Sequence, residues 1–304
     1  KVYAANNLSN NVTVIDGVTN IPTNIATASG PTGVAINPIT NKIYISCSSG
    51  SASVIDGATN GVTTVPIGSG TTPNSVAVNP ITNKSYVTNS QNGTVSVIDG
   101  ATNGIQNLPP SGVNPITATV NPVTNKIYIA NYNGQDISVI DGANNSIQSI
   151  LVHKNPRAMA VNTVTNKIYV VNEGYNSVSV IDGSTNSTQT LFLTGTPIGL
   201  AINLVTNKIF ATFINQNIIA VIDGATNAIE TVAVGVSPSV IAVNPVTNKT
   251  YVATNTSVTV VDGASYATQM IAISANGINC IAVNPVTNKI YVGTFSGTPA
   301  DTLF

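Results

Sequence analysis

The sequence predicts an all-β fold built from tandem four-stranded antiparallel units, and three observations predict it. The word Asn-Pro-x-Thr-Asn-Lys-x-Tyr stands at 37–44, 79–86, 121–128, 244–251 and 284–291, with looser copies at 162–169 and 203–210. A second word, Val/Ile-Asp-Gly, recurs at Asp16, Asp56, Asp99, Asp141, Asp182, Asp223 and Asp262. Between the two words apolar residues alternate with small or polar ones, and no window has the 3.6-residue spacing of an amphipathic helix. The repeat lysines Lys1, Lys42, Lys84, Lys126, Lys167, Lys208, Lys249 and Lys289 lie 40–42 residues apart, so seven periods separate the first from the last.

Taken in order, one period contains four strands, here labelled a to d. In the second full period they fall at 75–79, 84–89, 94–99 and 104–108, rich in Val, Ile, Thr and Tyr. The a–b hairpin is the Asn-Pro-x-Thr-Asn-Lys element, because proline fixes φ and asparagine tolerates the left-handed region. Asp-Gly marks the c–d hairpin. Four antiparallel strands in about 42 residues form the blade of a β-propeller. Seven tandem copies predict a single seven-bladed domain over 1–304, closed around a central channel.

The chain resembles the YVTN-repeat β-propellers, and carries that word literally at Tyr86-Val87-Thr88-Asn89. The resemblance extends over nearly the whole chain. It implies a prokaryotic cell-surface or surface-layer protein, a class that serves for display, adhesion and binding. Such a fold does not fix function.

The strand inventory bears on how the ring closes. Residues 1–28 supply strands b, c and d, six complete sets follow, and 278–295 supply a terminal a and b. Pairing the terminal a strand with the N-terminal b strand makes one blade from both chain ends and removes two exposed edges. The 289–304 segment is then a surplus strand and tail. It lies outside the ring, competes with residues 1–7, completes a neighbouring molecule by strand addition, or begins an eighth blade. Cys47, in the second b strand, and Cys280, in the last a strand, fall in neighbouring blades of that ring, either as a disulfide latch or as two buried thiols.

The charges sharpen the search for a site. Charged residues make up 7% of the chain, against about 25% in ordinary proteins. The eight repeat lysines and seven repeat aspartates, expected to fix turns and to pair with one another, account for 15 of the 21 formal charges. Only Asp136, Lys154, Arg157, Glu173, Glu230 and Asp301 remain. Four of these six, with the single histidine His153, fall between 136 and 173, in the b–c and d–a connections that vary most between repeats. A ligand or glycan site is therefore expected at Tyr132, Asp136, His153, Lys154, Arg157, Glu173 and Tyr175, with the tyrosines as stacking platforms and Arg157 and Glu173 as polar contacts.

The same scarcity argues against several functions. A net charge of −1 gives no field to draw in nucleic acid or an anionic bilayer. No apolar run approaches the ~18 residues of a spanning helix. Hydrolysis needs a base–nucleophile pair or two facing carboxylates, and zinc needs three close ligands. Streptogramin-lyase propellers, similar in architecture, use a histidine constellation where this chain has one histidine. The sequence thus predicts no catalytic residues, no metal and no cofactor. Asparagine supplies 41 of 304 residues, with glycosylation sequons of interest at Asn7, Asn11, Asn92, Asn144, Asn186 and Asn255. Because Lys1-Val2-Tyr3 begins inside a blade word, the chain reads as a processed form or segment of something longer. The resulting expectation is a non-catalytic extracellular structural module of surface-layer, fibre or adhesin type, self-associating or binding other surface proteins and glycans. The alternative is a glycan- or ligand-binding propeller using 132–175, and the remotest is a lyase or hydrolase.

Overall fold

Alternation with period two becomes strand throughout the chain. A computed structural model describes residues 1–273 and 277–294 and contains 29 antiparallel strands. Asp301 and the 295–304 part of the predicted tail lie outside the described residues. Contacts divide the chain into two compact units, Lys1–Pro156 and Arg157–Phe304.

The first unit begins with a three-stranded sheet, β1 to β3 (Val2–Asn6, Asn11–Ile15, Pro22–Ala26). Three four-stranded blades follow. They are β4 to β7 (Pro31–Asn37, Lys42–Cys47, Ser51–Asp56, Val62–Pro66), β8 to β11 (Pro73–Asn79, Lys84–Asn89, Thr94–Asp99, Ile105–Asn107) and β12 to β15 (Pro115–Asn121, Lys126–Asn131, Asp136–Asp141, Ile147–Leu151). The second unit holds three more: β16 to β19 (Pro156–Asn162, Lys167–Asn172, Ser177–Asp182, Thr188–Phe192), β20 to β23 (Pro197–Asn203, Lys208–Phe213, Ile218–Asp223, Ile229–Ala233) and β24 to β27 (Ile241–Asn244, Lys249–Ala253, Ser257–Asp262, Thr268–Ala272). It ends on a two-stranded sheet, β28 (Ile278–Asn284) and β29 (Lys289–Thr294). This is the inventory read from the repeats, and the fold is a β-propeller of four-stranded blades. The expected pairing of the terminal a strand with the N-terminal b strand is corrected: β28 pairs with β29, with Asn284 opposite Lys289, so β29 takes the ordinary b position beside its own a strand and is not surplus.

The core lies between successive blades, because each sheet has two apolar faces and no other layer to cover them. The repeat tyrosine is among the largest buried side chains: Tyr44, Tyr86, Tyr128 and Tyr169 are fully buried, and Phe210 stands at the same position of its repeat. Tyr44, Val54 and Val65 pack on Val76, Val87 and Ile98 of the following blade, and Tyr169, Val178 and Leu191 pack on Ile209 and Ile222. Complete burial of one such aliphatic side chain contributes about 1.5–3 kcal/mol. The last interface is half built among the described residues. Ile271 is 46% exposed, where the equivalent Val65, Ile150, Leu191 and Val232 are all below 9%; among the described residues the β28–β29 sheet has two strands.

The repeated polar residues cap and couple the blades. The asparagine before each repeat lysine (Asn41, Asn83, Asn125, Asn166, Asn207, Asn248, Asn288) sits at φ 52–54°, in the left-handed region that a tight turn requires. The buried asparagine that opens the word closes the same turn and reaches the next blade. Asn79 Oδ1 accepts from the Ile81 N–H at 3.0 Å while its Nδ2 donates to Asn125 Oδ1 at 2.8 Å. The fourth residue of the YVTN word ties strand b to strand c: Asn89 Nδ2 donates to Thr94 Oγ1 and Ser96 Oγ, and Asn172 Nδ2 to Ser177 and Ser179. The glycine of Asp-Gly is required by a close approach, since a Cβ at Gly100 would collide with the Asn83 side chain.

One expectation about these residues is corrected. Lysine and aspartate of one blade do stand opposite each other in register, as Lys42 does to Asp56. Yet Lys1, Lys42 and Lys167 donate instead to the Asp-Gly carbonyls of the next blade, at Gly57 (2.6 Å), Gly100 (2.5 Å) and Gly224 (3.0 Å). Lys208 does pair with Asp223, at 2.9 Å. The aspartates cap their own turns, Asp56 Oδ1 accepting the N–H groups of Ala58 and Thr59 and the Thr59 hydroxyl. Such caps hold Asp16, Asp56, Asp99, Asp182 and Asp262 below the usual carboxylate range, with the N–H three residues on as the largest cause. The Lys208 ammonium is the first cause for Asp223.

Two predictions follow from this grammar. A depressed carboxylate pKa contributes stability above the unfolded value of about 3.9 and loses it as pH falls through the folded value. Thermal melting should therefore change little between pH 5 and 8 as far as these groups are concerned and fall only below about pH 4; a steep loss between pH 7 and 5 would contradict the capping role. Burial, reinforced by the Asp141 charge, pushes the Tyr86 hydroxyl up to about 12, and that hydroxyl finds no hydrogen-bond partner. Tyr86→Phe should be neutral or slightly stabilising in denaturant unfolding, as Phe210 already illustrates, whereas Tyr86→Ala should cost about 3–5 kcal/mol.

Candidate functional site

The irregular residues of the second unit converge at one end of the blade β16 to β19. The β17–β18 connection is a single 3₁₀ turn, Glu173–Tyr175, ended by Asn176 at φ 46°. Its base is fixed from below by the Asn172 amide on Ser177 and Ser179, and from the side by the Leu193 N–H on the Asn176 carbonyl at 2.8 Å. Asn176 Oδ1 also accepts from the Thr196 hydroxyl at 3.0 Å. Those anchors set the Glu173 carboxylate beside strand β16, where Arg157 Nη1 donates to Glu173 Oε2 at 2.8 Å. The arginine side chain is 45% exposed and the glutamate 21%, so this is a surface pair worth about 0–1 kcal/mol to the fold.

The turn also carries one member of an aromatic pair. The Tyr175 and Phe192 rings are 6.0 Å apart between centroids and inclined at 50°. Tyr175 is 49% exposed and Phe192 66%, an uncommon arrangement in a chain with 5% aromatics. Phe192 is absent from the sequence reading. The signal for it is positional: it ends an outer strand opposite Ser177, where other blades end on Ala26, Pro66, Leu151, Ala233 or Ala272.

The remaining predicted residues belong to the first unit. Tyr132 is half-buried; its N–H donates to the Asn114 carbonyl at 3.0 Å and its own carbonyl accepts from Asn155 Nδ2 at 2.8 Å. Asp136 begins β14, and its Oδ2 accepts from Asn131 Nδ2 at 2.8 Å and Ser149 Oγ at 3.0 Å. Its carboxylate thus does in this blade what Thr94 and Ser177 do in theirs. His153 is half-buried and Lys154 exposed, in the connection that leads to β16. At the far end of the same strands from Tyr175, a shallow recess of about 210 Å³ is lined by Lys167, Val180, Asp182, Ser187, Thr188 and Gln189.

Among the sequons, Asn7, Asn92, Asn144 and Asn255 are exposed, whereas Asn11 and Asn186 are half-buried. Asn11 is further engaged, accepting from the Asn6 amide at 2.6 Å. Cys47 and Cys280 are both thiols, so the disulfide latch is not formed. The reason lies in packing: Cys47 is fully buried among Val12, Val14, Ile43 and Ile45, with its sulfur 3.7 Å from Ser53 Oγ, while Cys280 is exposed. Among the described residues no three His, Cys, Asp or Glu side chains come together as a metal site would require, and no helix is long and apolar enough to cross a membrane.

No family model matches the chain, and no curated protein does. The fold itself has clear counterparts among solved structures. A dihydro-heme d1 dehydrogenase, NirN, in complex with DHE superposes with a TM-score of 0.83 at 11% identity, over 99% of this chain and 70% of its own. Virginiamycin B lyase from Staphylococcus aureus gives 0.71 at 14% identity, over 87% of this chain and 92% of the lyase. A streptogramin B lyase gives 0.70 at 13% identity, over 86% of this chain and 89% of its own. At such identities the likeness is one of fold. It corrects the expectation of a purely structural surface module, because the solved structures that share this architecture include a dehydrogenase and lyases.

The burial contrast between the thiols gives a direct test. Burial pushes the Cys47 thiol up, away from the reactive thiolate. In native protein a thiol reagent should label Cys280 alone, and Cys47 only after unfolding; equal native labelling would contradict the packing described.

Proposed function

We propose that this chain is a ligand-binding β-propeller of the YVTN-repeat class, acting outside the cell, that takes a carbohydrate across Arg157, Glu173, Tyr175 and Phe192. The observation that carries this reading is that one pinned turn, Glu173–Tyr175, contributes a member both to the exposed Tyr175–Phe192 pair and to the Arg157–Glu173 ion pair. Exposed aromatic faces cover the C–H face of a sugar ring, and a few well-placed charged groups orient its hydroxyls. Arg157 stands on the first strand of the blade and Phe192 on the fourth. Three inter-strand gaps span roughly 14 Å, the length of a short oligosaccharide. An anchored turn also lowers the ordering cost of binding. Two of the solved fold relatives support ligand binding as a use of this architecture, one being in complex with DHE and another with quinupristin.

Glycan-array screening of the native chain should give binders. Against the best of them, Tyr175→Ala and Arg157→Ala should each weaken affinity at least about tenfold, or 1.4 kcal/mol, without lowering the melting temperature. An array without binders, or binders indifferent to both substitutions, would remove the proposal.

A further inference from the structure

The a–b turns of the second unit present a row of exposed valines. The first variable residue of the word Asn-Pro-x-Thr-Asn-Lys-x-Tyr is Ile or Val in every copy, and in this unit it is Val164, Val205, Val246 and Val286, each 75–91% exposed. Each valine serves its turn through the backbone, its N–H donating to the side-chain oxygen of Asn162, Asn203, Asn244 or Asn284 at 3.0–3.1 Å. The c–d turns are closed by the same kind of contact, and the matching residues there are Ser184, Ala225 and Ala264. The turn itself therefore does not call for a branched apolar side chain, which water solvates poorly. The row is also continuous and stiff. Asn162 gives its Nδ2 to Asn207 at 2.8 Å, Asn203 to Asn248 at 2.9 Å and Asn244 to Asn288 at 2.9 Å, so each turn is bonded to the next.

We infer that two copies of the chain pair through this row, valines against valines about a two-fold axis. Charge is the first argument for a second copy. Around the row Lys167 donates to the Gly224 carbonyl, Lys208 pairs with Asp223, and Asp182 and Asp262 accept from their own turns. The whole chain carries a net charge of −1, so copies meet without repulsion and a charged partner gains no long-range attraction. Shape is the second. A branched Cβ restricts χ1, so that burying valine costs little side-chain entropy, and valine is too short to anchor in a bilayer interface, where Trp, Phe and Leu face the lipid. Area is the third. The four valines with Leu204, 39% exposed, present roughly 300 Å² of apolar surface. At the roughly 65% apolar content of homodimer interfaces, this corresponds to about 900 Å² over both partners, close to the roughly 1,000 Å² at which specific interfaces begin. The dimer is therefore a weak one. It leaves the Glu173–Tyr175 turn open in both copies, because that turn lies at the other end of β17 from Val164.

Sedimentation velocity of the native chain should show a monomer–dimer equilibrium between about 1 and 100 μM, as suits so small an interface, and added salt should not weaken it. Val205→Asp combined with Val246→Asp should raise the dissociation constant at least about tenfold at an unchanged melting temperature, since the backbone N–H groups still close the turns. Val205→Ser with Val246→Ser, which adds no charge, should shift the equilibrium in the same direction. Val236→Asp, at a 65% exposed residue in the β23–β24 connection at the other end of the strands, should leave it as it is. A chain that stays monomeric to about 100 μM, a dimer indifferent to both double substitutions, or one lost equally on Val236→Asp would overturn the inference. So would flotation of a monomeric native chain with phosphatidylcholine vesicles that either double substitution abolishes, which would assign the row to lipid. The carbohydrate site stands or falls on glycan binding, which these substitutions leave alone.

Discussion

The inner strand of each four-stranded blade ends on a buried asparagine amide shielded from solvent, and the architecture is arranged around satisfying it. Leaving such a group unpaired costs about 1–3 kcal/mol. Here Asn37, Asn79, Asn162, Asn203 and Asn244 cap their own turns through Oδ1 and give Nδ2 to the left-handed asparagine of the following blade. The same left-handed asparagine lies against the Asp-Gly glycine, whose N–H donates to its carbonyl, as Gly100 does to Asn83 at 2.8 Å. One local requirement therefore fixes the a–b turn, the c–d turn and the offset between neighbouring sheets. The apolar interfaces supply most of the stabilisation, but it is this polar contact that gives them a register.

The scarcity of charge follows from that arrangement. A propeller blade is covered on both faces by its neighbours, so its strands alternate between two apolar environments and leave little surface for ionic groups. Turns are instead closed by amides and hydroxyls, whose hydrogen bonding is indifferent to protonation over the ordinary pH range. The aspartates that remain are capping groups, and three of the lysines reach across to carbonyls of the next blade. Against this background an exposed arginine paired with Glu173 and an exposed phenylalanine paired with Tyr175, both partners being on one turn, stand out as features that the repeat does not need. A site can be added at a b–c connection without disturbing the blade, because Asn172 holds the ends of that connection from inside.

The sequence by itself determined the number and order of the strands and their pairing within each repeat, because the two-residue alternation and the turn words are local and are copied at a fixed period. It also narrowed where a site could be sought, since six charges outside the repeat grammar leave few places to look. What lay beyond it was the destination of long side chains. Lys42 and Asp56 are opposite each other in register, yet the lysine reaches the next blade, and only the spacing between sheets decides that. Asp136, singled out in the sequence by its charge, accepts from Asn131 and Ser149 inside its own blade, a contact that no local pattern announces. Phe192 was silent in the sequence, its partnership with Tyr175 arising where an outer strand ends beside a loop 17 residues earlier in the chain. The thiols were separated by burial, one inside an interface and the other outside. Local geometry is written in neighbouring residues, whereas contacts between blades depend on where whole sheets pack, and that only the tertiary structure decided.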